Sequence, residues 1–156
     1  MNPGEIYIGG KLRPVVRLNF PSVDSKRVYE RYPYDIKVLD AANNPIGSLT
    51  LRVNIPDSWN GTVRNVARVS EINIDAPYVG KGFGKATYLE ILKFLGDMPL
   101  QSGSINDNSI GIWESLVRDG LAEREYTQDE GGEKQVRYIS RPDIVKVKLI
   151  GQEQTE

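Results

Sequence analysis

The chain has 156 residues, enough for one domain with a proper core and no covalent staples. Its 20 Lys and Arg against 21 Asp and Glu leave a net charge of −1, which argues against electrostatically driven nucleic-acid binding. There is no Cys and no His, so disulfides, thiolate nucleophiles and His-based catalysis are excluded and zinc sites are disfavoured.

Residues 1–11 hold three Gly and one Pro and read as a loose lead-in. Val15–Phe20 alternates as a first strand, and a short helix capped by Ser22 or Asp24 ends near Tyr32, ahead of Pro33. Tyr34–Leu39 and Ser48–Ile55 flank the turn residues Asn43-Asn44-Pro45-Ile46-Gly47, which predicts a hairpin. A loop over Pro56–Gly61 leads to a third strand, Val63–Asp75. There Ile72 and Ile74 share one face and Glu71 and Asn73 the other. Asn60-Gly61-Thr62 fits a glycosylation triplet but reads as a turn.

The period then changes. Gly84–Leu95 is a helix apolar nearly all round, ended by Gly96 and Pro99. Leu100–Ser104 is a short strand. Ser109–Arg118 is a second helix, with Ile112, Trp113, Leu116 and Val117 as its buried stripe and Gly120 just past its end. Leu121–Tyr126 and Gln135–Ile139 flank Asp129-Glu130-Gly131-Gly132 as a second hairpin. Ile144–Ile150 reads as an edge strand, either within the chain's own sheet or one through which two copies could pair as a homodimer, and 151–156 as a frayed tail. The order predicts a single α+β (mixed α/β) domain spanning 1–156. No signal peptide is visible in Met1–Gly10 and no apolar run approaches the roughly 18 residues of a membrane span, so a cytoplasmic location is expected.

The stretch that carries chemistry runs from Ile72 to Ala86. A strand ends, Gly80, Gly82 and Gly84 alternate, and a helix begins. Such a turn lets backbone N–H groups and the positive end of the helix dipole face an anion, best a phosphate or pyrophosphate, with Lys81 and Lys85 adding charge. Neither the P-loop spacing nor the dinucleotide fingerprint is present, since Lys85 stands where the latter needs Gly. A tight turn with no ligand, or a nucleotide-phosphate binder, would use the same residues.

Ile74-Asp75-Ala76-Pro77-Tyr78-Val79-Gly80-Lys81-Gly82-Phe83-Gly84-Lys85-Ala86 resembles the signature of the GCN5-related N-acetyltransferase (GNAT) superfamily, Arg/Gln-x-x-Gly-x-Gly/Ala entering a helix. Asn106-x-x-Ser109-x-x-Ile112-Trp113 and Gly120-Leu121 resemble the family's later helix and the Gly-Phe after it. The resemblance covers about residues 34–140. It implies a GNAT-like, mostly antiparallel sheet splayed between two strands, with Val69–Asp75 parting from Leu100–Ser104.

The resemblance also implies acetyl-CoA or another acyl-CoA as acyl-donor substrate, an unspecified amine acceptor, and no metal. The pyrophosphate would lie on Val79, Gly80, Lys81, Gly82, Phe83, Gly84 and Lys85. The pantetheine arm would pair with Ile72, Asn73 and Ile74, and Asn106 would bond it or simply cap the helix. Glu71 is the preferred base, ahead of Asp75. Two positions depart from the pattern: Val79 replaces the Arg/Gln, and Trp113 replaces a frequent general-acid Tyr, whose proton an indole cannot supply. Trp113 reads as core, and Tyr126 or Tyr138 as structural or as a displaced acid. The second reading is a non-catalytic protein of the same fold, such as a phage- or mobile-element-encoded accessory protein, acting through a protein partner.

Overall fold

The computed structural model describes residues 5–8, 11–20, 33–59, 61–102, 107–128 and 134–150. The short helix expected before Tyr32, Asn106, the 129–133 turn and the tail lie outside the described residues.

Among the described residues, eight strands and three helices follow in chain order. They are β1 (Glu5–Ile8), β2 (Lys11–Pro14), β3 (Val16–Leu18), β4 (Pro33–Asp40), β5 (Pro45–Trp59), β6 (Thr62–Ile74), α1 (Phe83–Leu95), α2 (Asp107–Arg118), β7 (Ala122–Gln128), β8 (Lys134–Ser140) and α3 (Pro142–Val145), which continues as a wider helical turn over Lys146–Ile150. Strands β3-β4-β5-β6 form an antiparallel sheet, and β7–β8 form a hairpin. Residues 100 and 101 tie the two together. Leu100 bridges Ala67 in parallel, and Gln101 bridges Ile139 antiparallel.

The β4–β5 hairpin forms where the turn residues predict it. Asp40 Oδ1 accepts the N–H groups of Ala42 (2.9 Å) and Asn44 (2.8 Å), and Asn43 adopts φ 66°. On β5, Leu49, Leu51 and Val53 are buried and alternate with Thr50 and Arg52. They join Ile36, Val38, Ala67 and Leu100 in one core, closed by Leu89, Ile91 and Leu92 of α1 and by Trp113 and Leu116 of α2. Burial of each large side chain contributes about 1.5–3 kcal/mol. Helix α2 ends in a Schellman motif: Leu121 N–H bonds Leu116 C=O (2.9 Å) and Gly120 N–H bonds Val117 C=O (3.0 Å).

Three expectations are corrected. Residues 5–8 and 11–14 are paired strands, not a loose lead-in. The loop expected over Pro56–Gly61 is strand as far as Trp59, because Asp57 and Ser58 pair with Arg64 and Val63. Ile144–Ile150 is helical, not an edge strand. Pro142 suits the first helical position, and Val145 and Leu149, four apart, are both buried. That segment therefore offers no strand edge for pairing two copies. Among the described residues, no helix is long and apolar enough to cross a membrane.

Candidate functional site: a splayed strand pair and a glycine turn

The site grows from the way β6 leaves its neighbour. Ala67 N–H donates to Pro99 C=O (2.9 Å), and Gln101 N–H donates to Ala67 C=O (2.8 Å). Beyond Ala67 no backbone hydrogen bond joins β6 to 100–102 among the described residues. On the opposite edge of this segment, Ser102 N–H donates to Tyr138 C=O (2.8 Å) and ties it to β8. On its other edge β6 stays paired to β5, but with a bulge. Thr50 faces Glu71 and Leu51 faces Val69, so Ser70 is the extra residue. A bulge bends a strand and sharpens its twist, and here it falls just past the point of parting. Among the described residues, no strand is hydrogen-bonded to the backbone edge of residues 68–74 on the side away from β5.

At the end of β6, Asp75 N–H is held by Ile46 C=O (2.8 Å), and Ala76–Tyr78 makes one 3-10 turn. Gly80 and Gly82 follow at φ 78° and 87°, a left-handed conformation that side chains resist. Gly82 is the N-cap of α1, and the first intrahelical bond runs from Ala86 N–H to Gly82 C=O (3.0 Å). The N–H groups of Phe83, Gly84 and Lys85 precede that bond and have no partner within the helix. The Tyr78 and Phe83 rings meet edge to face, centroids 5.3 Å apart, and brace the turn. Pro14 of β2 lies beside it, 3.3 Å from where a Cβ on Gly82 would fall.

Val79 and Lys81 are exposed on the turn. Lys85 is not. Its side chain is 6% exposed, and its ammonium donates to Ser115 Oγ (2.5 Å) and pairs with Asp119 on α2. Its charge is thus matched within the fold, and its ammonium is turned to α2. Glu71 and Asn73 are exposed on one face of β6, while Ile72 and Ile74 are half-buried against the core.

Trp113 is 2% exposed and packs between Tyr88 and Tyr138, with ring centroids 5.8 Å apart on each side. It is core. Tyr138 donates to Glu114 Oε1 (2.8 Å); burial, then that carboxylate, push its hydroxyl up. Burial pushes Tyr88 up to about 12. Both phenols are therefore weaker acids than an ordinary tyrosine.

Sequence reasoning missed a polar cluster at the root of the splay. Arg64 donates from Nε to Asp57 Oδ2 (3.1 Å) and from Nη2 to Glu125 Oε1 (2.6 Å). Arg68 donates twice to Gln101 Oε1 (2.9 and 2.5 Å), and Gln101 Nε2 donates to Asp57 Oδ2 (3.0 Å). Arg137 Nη1 donates to Asp57 Oδ1 (3.3 Å). Burial raises the Asp57 carboxyl, but the Gln101 and Arg64 hydrogen bonds and the charges of Arg137 and Arg64 outweigh it and hold it below its ordinary value. The clue in the sequence was Arg64 and Arg68, four apart in an alternating strand and so on one face with Val66.

No protein-family model matches the chain, and no curated protein matches it. Solved structures do resemble it. A mutant AtaT toxin bound to the C-terminus of the antitoxin AtaR and acetyl-CoA aligns with TM-score 0.56 and 10% identity, over 80% of this chain and 77% of that one. A KacTA–DNA complex aligns with TM-score 0.56 and 13% identity, over 79% and 76%. At these identities the likeness concerns the fold. Together with the splayed β6, its bulge and the glycine turn into α1, it establishes that the chain has the GNAT fold.

Proposed function

We propose that this protein is an acyl-CoA-dependent N-acyltransferase, in its simplest form transferring acetyl from acetyl-CoA to an amine. The observation that carries the reading is the parting of β6 from residues 100–102 directly beyond Ala67, with the bulge and the glycine turn on the same strand. The likeness to a fold solved with acetyl-CoA bound supports it.

The residues present fit such a donor. The edge of residues 68–74, which pairs with no strand among the described residues on the side away from β5, offers amides and carbonyls to a peptide-like arm, in the manner of an added strand. The first-turn N–H groups of α1 and the glycines offer close, cationic approach to a pyrophosphate, with Lys81 beside them. Acetyl-CoA supplies an activated thioester. The amine nitrogen attacks its carbonyl carbon, the N–C bond forms, the C–S bond breaks, and CoA leaves as a thiolate. The ammonium proton goes to Glu71, directly or through water. A thiol of ordinary pKa near 8.5 leaves without a dedicated acid, which suits a site where Trp113 is core and Tyr88 and Tyr138 are poor donors.

The test pairs binding with turnover. Acetyl-CoA should raise the melting temperature of the wild type and not that of a folded Gly82→Glu variant. Free thiol should appear with an amine panel and fall by about 10²-fold or more in Glu71→Gln. Equal stabilisation of wild type and Gly82→Glu would remove the pyrophosphate assignment.

A further inference from the structure

The polar cluster at the root of the splay has an inside and an outside. Its carboxylates are buried, Asp57 at 6% and Glu125 at 4% exposure, while Arg64, Arg68 and Arg137 are 26%, 33% and 26% exposed. The guanidiniums therefore stand between the acids and solvent, and three cations against two anions leave a net positive charge. Gln101, 1% exposed, is clamped between Arg68 and Asp57 and holds the arrangement rigid.

Donors also outnumber acceptors. Arg68 uses Nε and Nη2 on Gln101, and Arg137 uses only Nη1. Arg137 Nε is buried with no hydrogen-bond partner among the described residues, a costly state for a charged group. Planar guanidiniums with spare N–H groups match carboxylates and phosphates by paired hydrogen bonds. If the arginines served only to neutralise Asp57 and Glu125, an apolar cluster would stabilise the sheet as well or better.

Position links the cluster to the chemistry. Arg68 follows the last paired residue, Ala67, and Gln101 follows its partner, Leu100. Register puts Arg68 and Glu71 on one face of β6, since their partners Arg52 and Thr50 lie two apart on β5. We propose that Arg68 and Arg137 bind a carboxylate or phosphate carried by the acceptor, so that the amines acylated are those bearing an anionic group. This rests on the acyl-transfer reading above. The amine would sit toward Glu71 and the anion toward the arginines. The bonds made and broken are those already given.

The experiment uses the full chain with acetyl-CoA and two matched acceptor pairs, phosphoethanolamine against ethanolamine and glycine against glycinamide. Thiol release gives kcat/KM, and calorimetry gives the affinity of each amine directly. The anionic member of at least one pair should be favoured by about tenfold or more in both readouts, and the pair that shows it tells phosphate from carboxylate. Arg68→Gln and Arg137→Gln should each reduce that ratio to about threefold or less. Arg68→Lys keeps the charge without the fork and should fall between. Circular dichroism checks folding, and Arg68→Gln, which leaves the Arg137–Asp57 pair intact, stands in if Arg137→Gln fails to fold. Equal binding within both pairs, or a preference left at about its wild-type size in Arg68→Gln, would overturn the proposal. Anion binding without acetyl-CoA binding would support the anion site and refute the acyl-transfer reading instead.

Discussion

Gly47 is where the structure predicts the sharpest response to a single methyl group. A Cβ built there falls 2.3 Å from the Asn73 carbonyl oxygen and 3.1 Å from Ile74 Cα. Both are backbone atoms, so no rotamer change relieves the clash. Ordinary carbon–oxygen contact is about 3.3 Å or more, so β5 and β6 must separate by about 1 Å at this point. Overpacking of that kind costs about 1–3 kcal/mol. The Asp75 N–H bond to Ile46 C=O (2.8 Å) and the ladder end beside it are put at risk, at about 0.5–1.5 kcal/mol per bond.

Gly47→Ala should thus destabilise by about 2–5 kcal/mol, a melting temperature roughly 5–15 °C lower for a chain of this size. It should also weaken acetyl-CoA binding, because Asn73 and Ile74 belong to the edge of β6 proposed to hold the donor. Gly111→Ala is the counterpart: nothing lies within 4 Å of its Cβ position on α2, and the change should stabilise by about 0.5–1 kcal/mol. Thermal unfolding followed by circular dichroism reads both. A Gly47→Ala melt within about 2 °C of wild type would refute the packing of β5 on β6 described above.

Further outcomes follow from the same structure. Asp119→Ala should destabilise more than Lys85→Met, since it takes the paired carboxylate from a buried ammonium whereas the second change removes the charge itself. Lys85→Met should leave the acetyl-CoA dissociation constant within about threefold, while Lys81→Ala on the exposed turn should weaken it more. Asp57 has a folded pKa below its ordinary value of 3.8, so the unfolded chain takes up its proton first on acidification. The stabilisation is full above about pH 5 and is lost as pH falls through the folded value. Asp57→Asn should flatten that acid limb in urea-unfolding free energies measured from pH 6 to 3. Trp113→Ala should cost about 3–5 kcal/mol through the cavity left between Tyr88 and Tyr138, read as a lowered melting temperature.

Much of the framework was legible because its signals are local. Alternation in β5 and β6, the Asn43–Gly47 turn and the glycines entering α1 each act within a few residues. Failures came where tertiary context decided. Ile144–Ile150 is rich in β-branched residues, yet Val145 and Leu149 reach the core only when four residues span one helical turn. Pro56 reads as a strand breaker, but the β5–β6 pairing carries on past it to Trp59. The role of Lys85 was illegible because its partner, Asp119, lies 34 residues away. The arginine cluster was hidden for the same reason. It draws on β5, β6, residue 101, β7 and β8, and no sequence window contains more than a fraction of it.

The central claim is that the edge of β6 beyond Ala67 and the turn entering α1 hold an acyl-CoA. Titration calorimetry of the full chain with acetyl-CoA tests it most directly, with wild type and Gly82→Glu measured alongside ATP as the competing phosphate ligand. The account predicts saturable one-to-one binding of acetyl-CoA by the wild type, little or none by Gly82→Glu, and none of comparable strength for ATP. Absence of acetyl-CoA binding by the wild type, or ATP binding as tightly at the same turn, would contradict it.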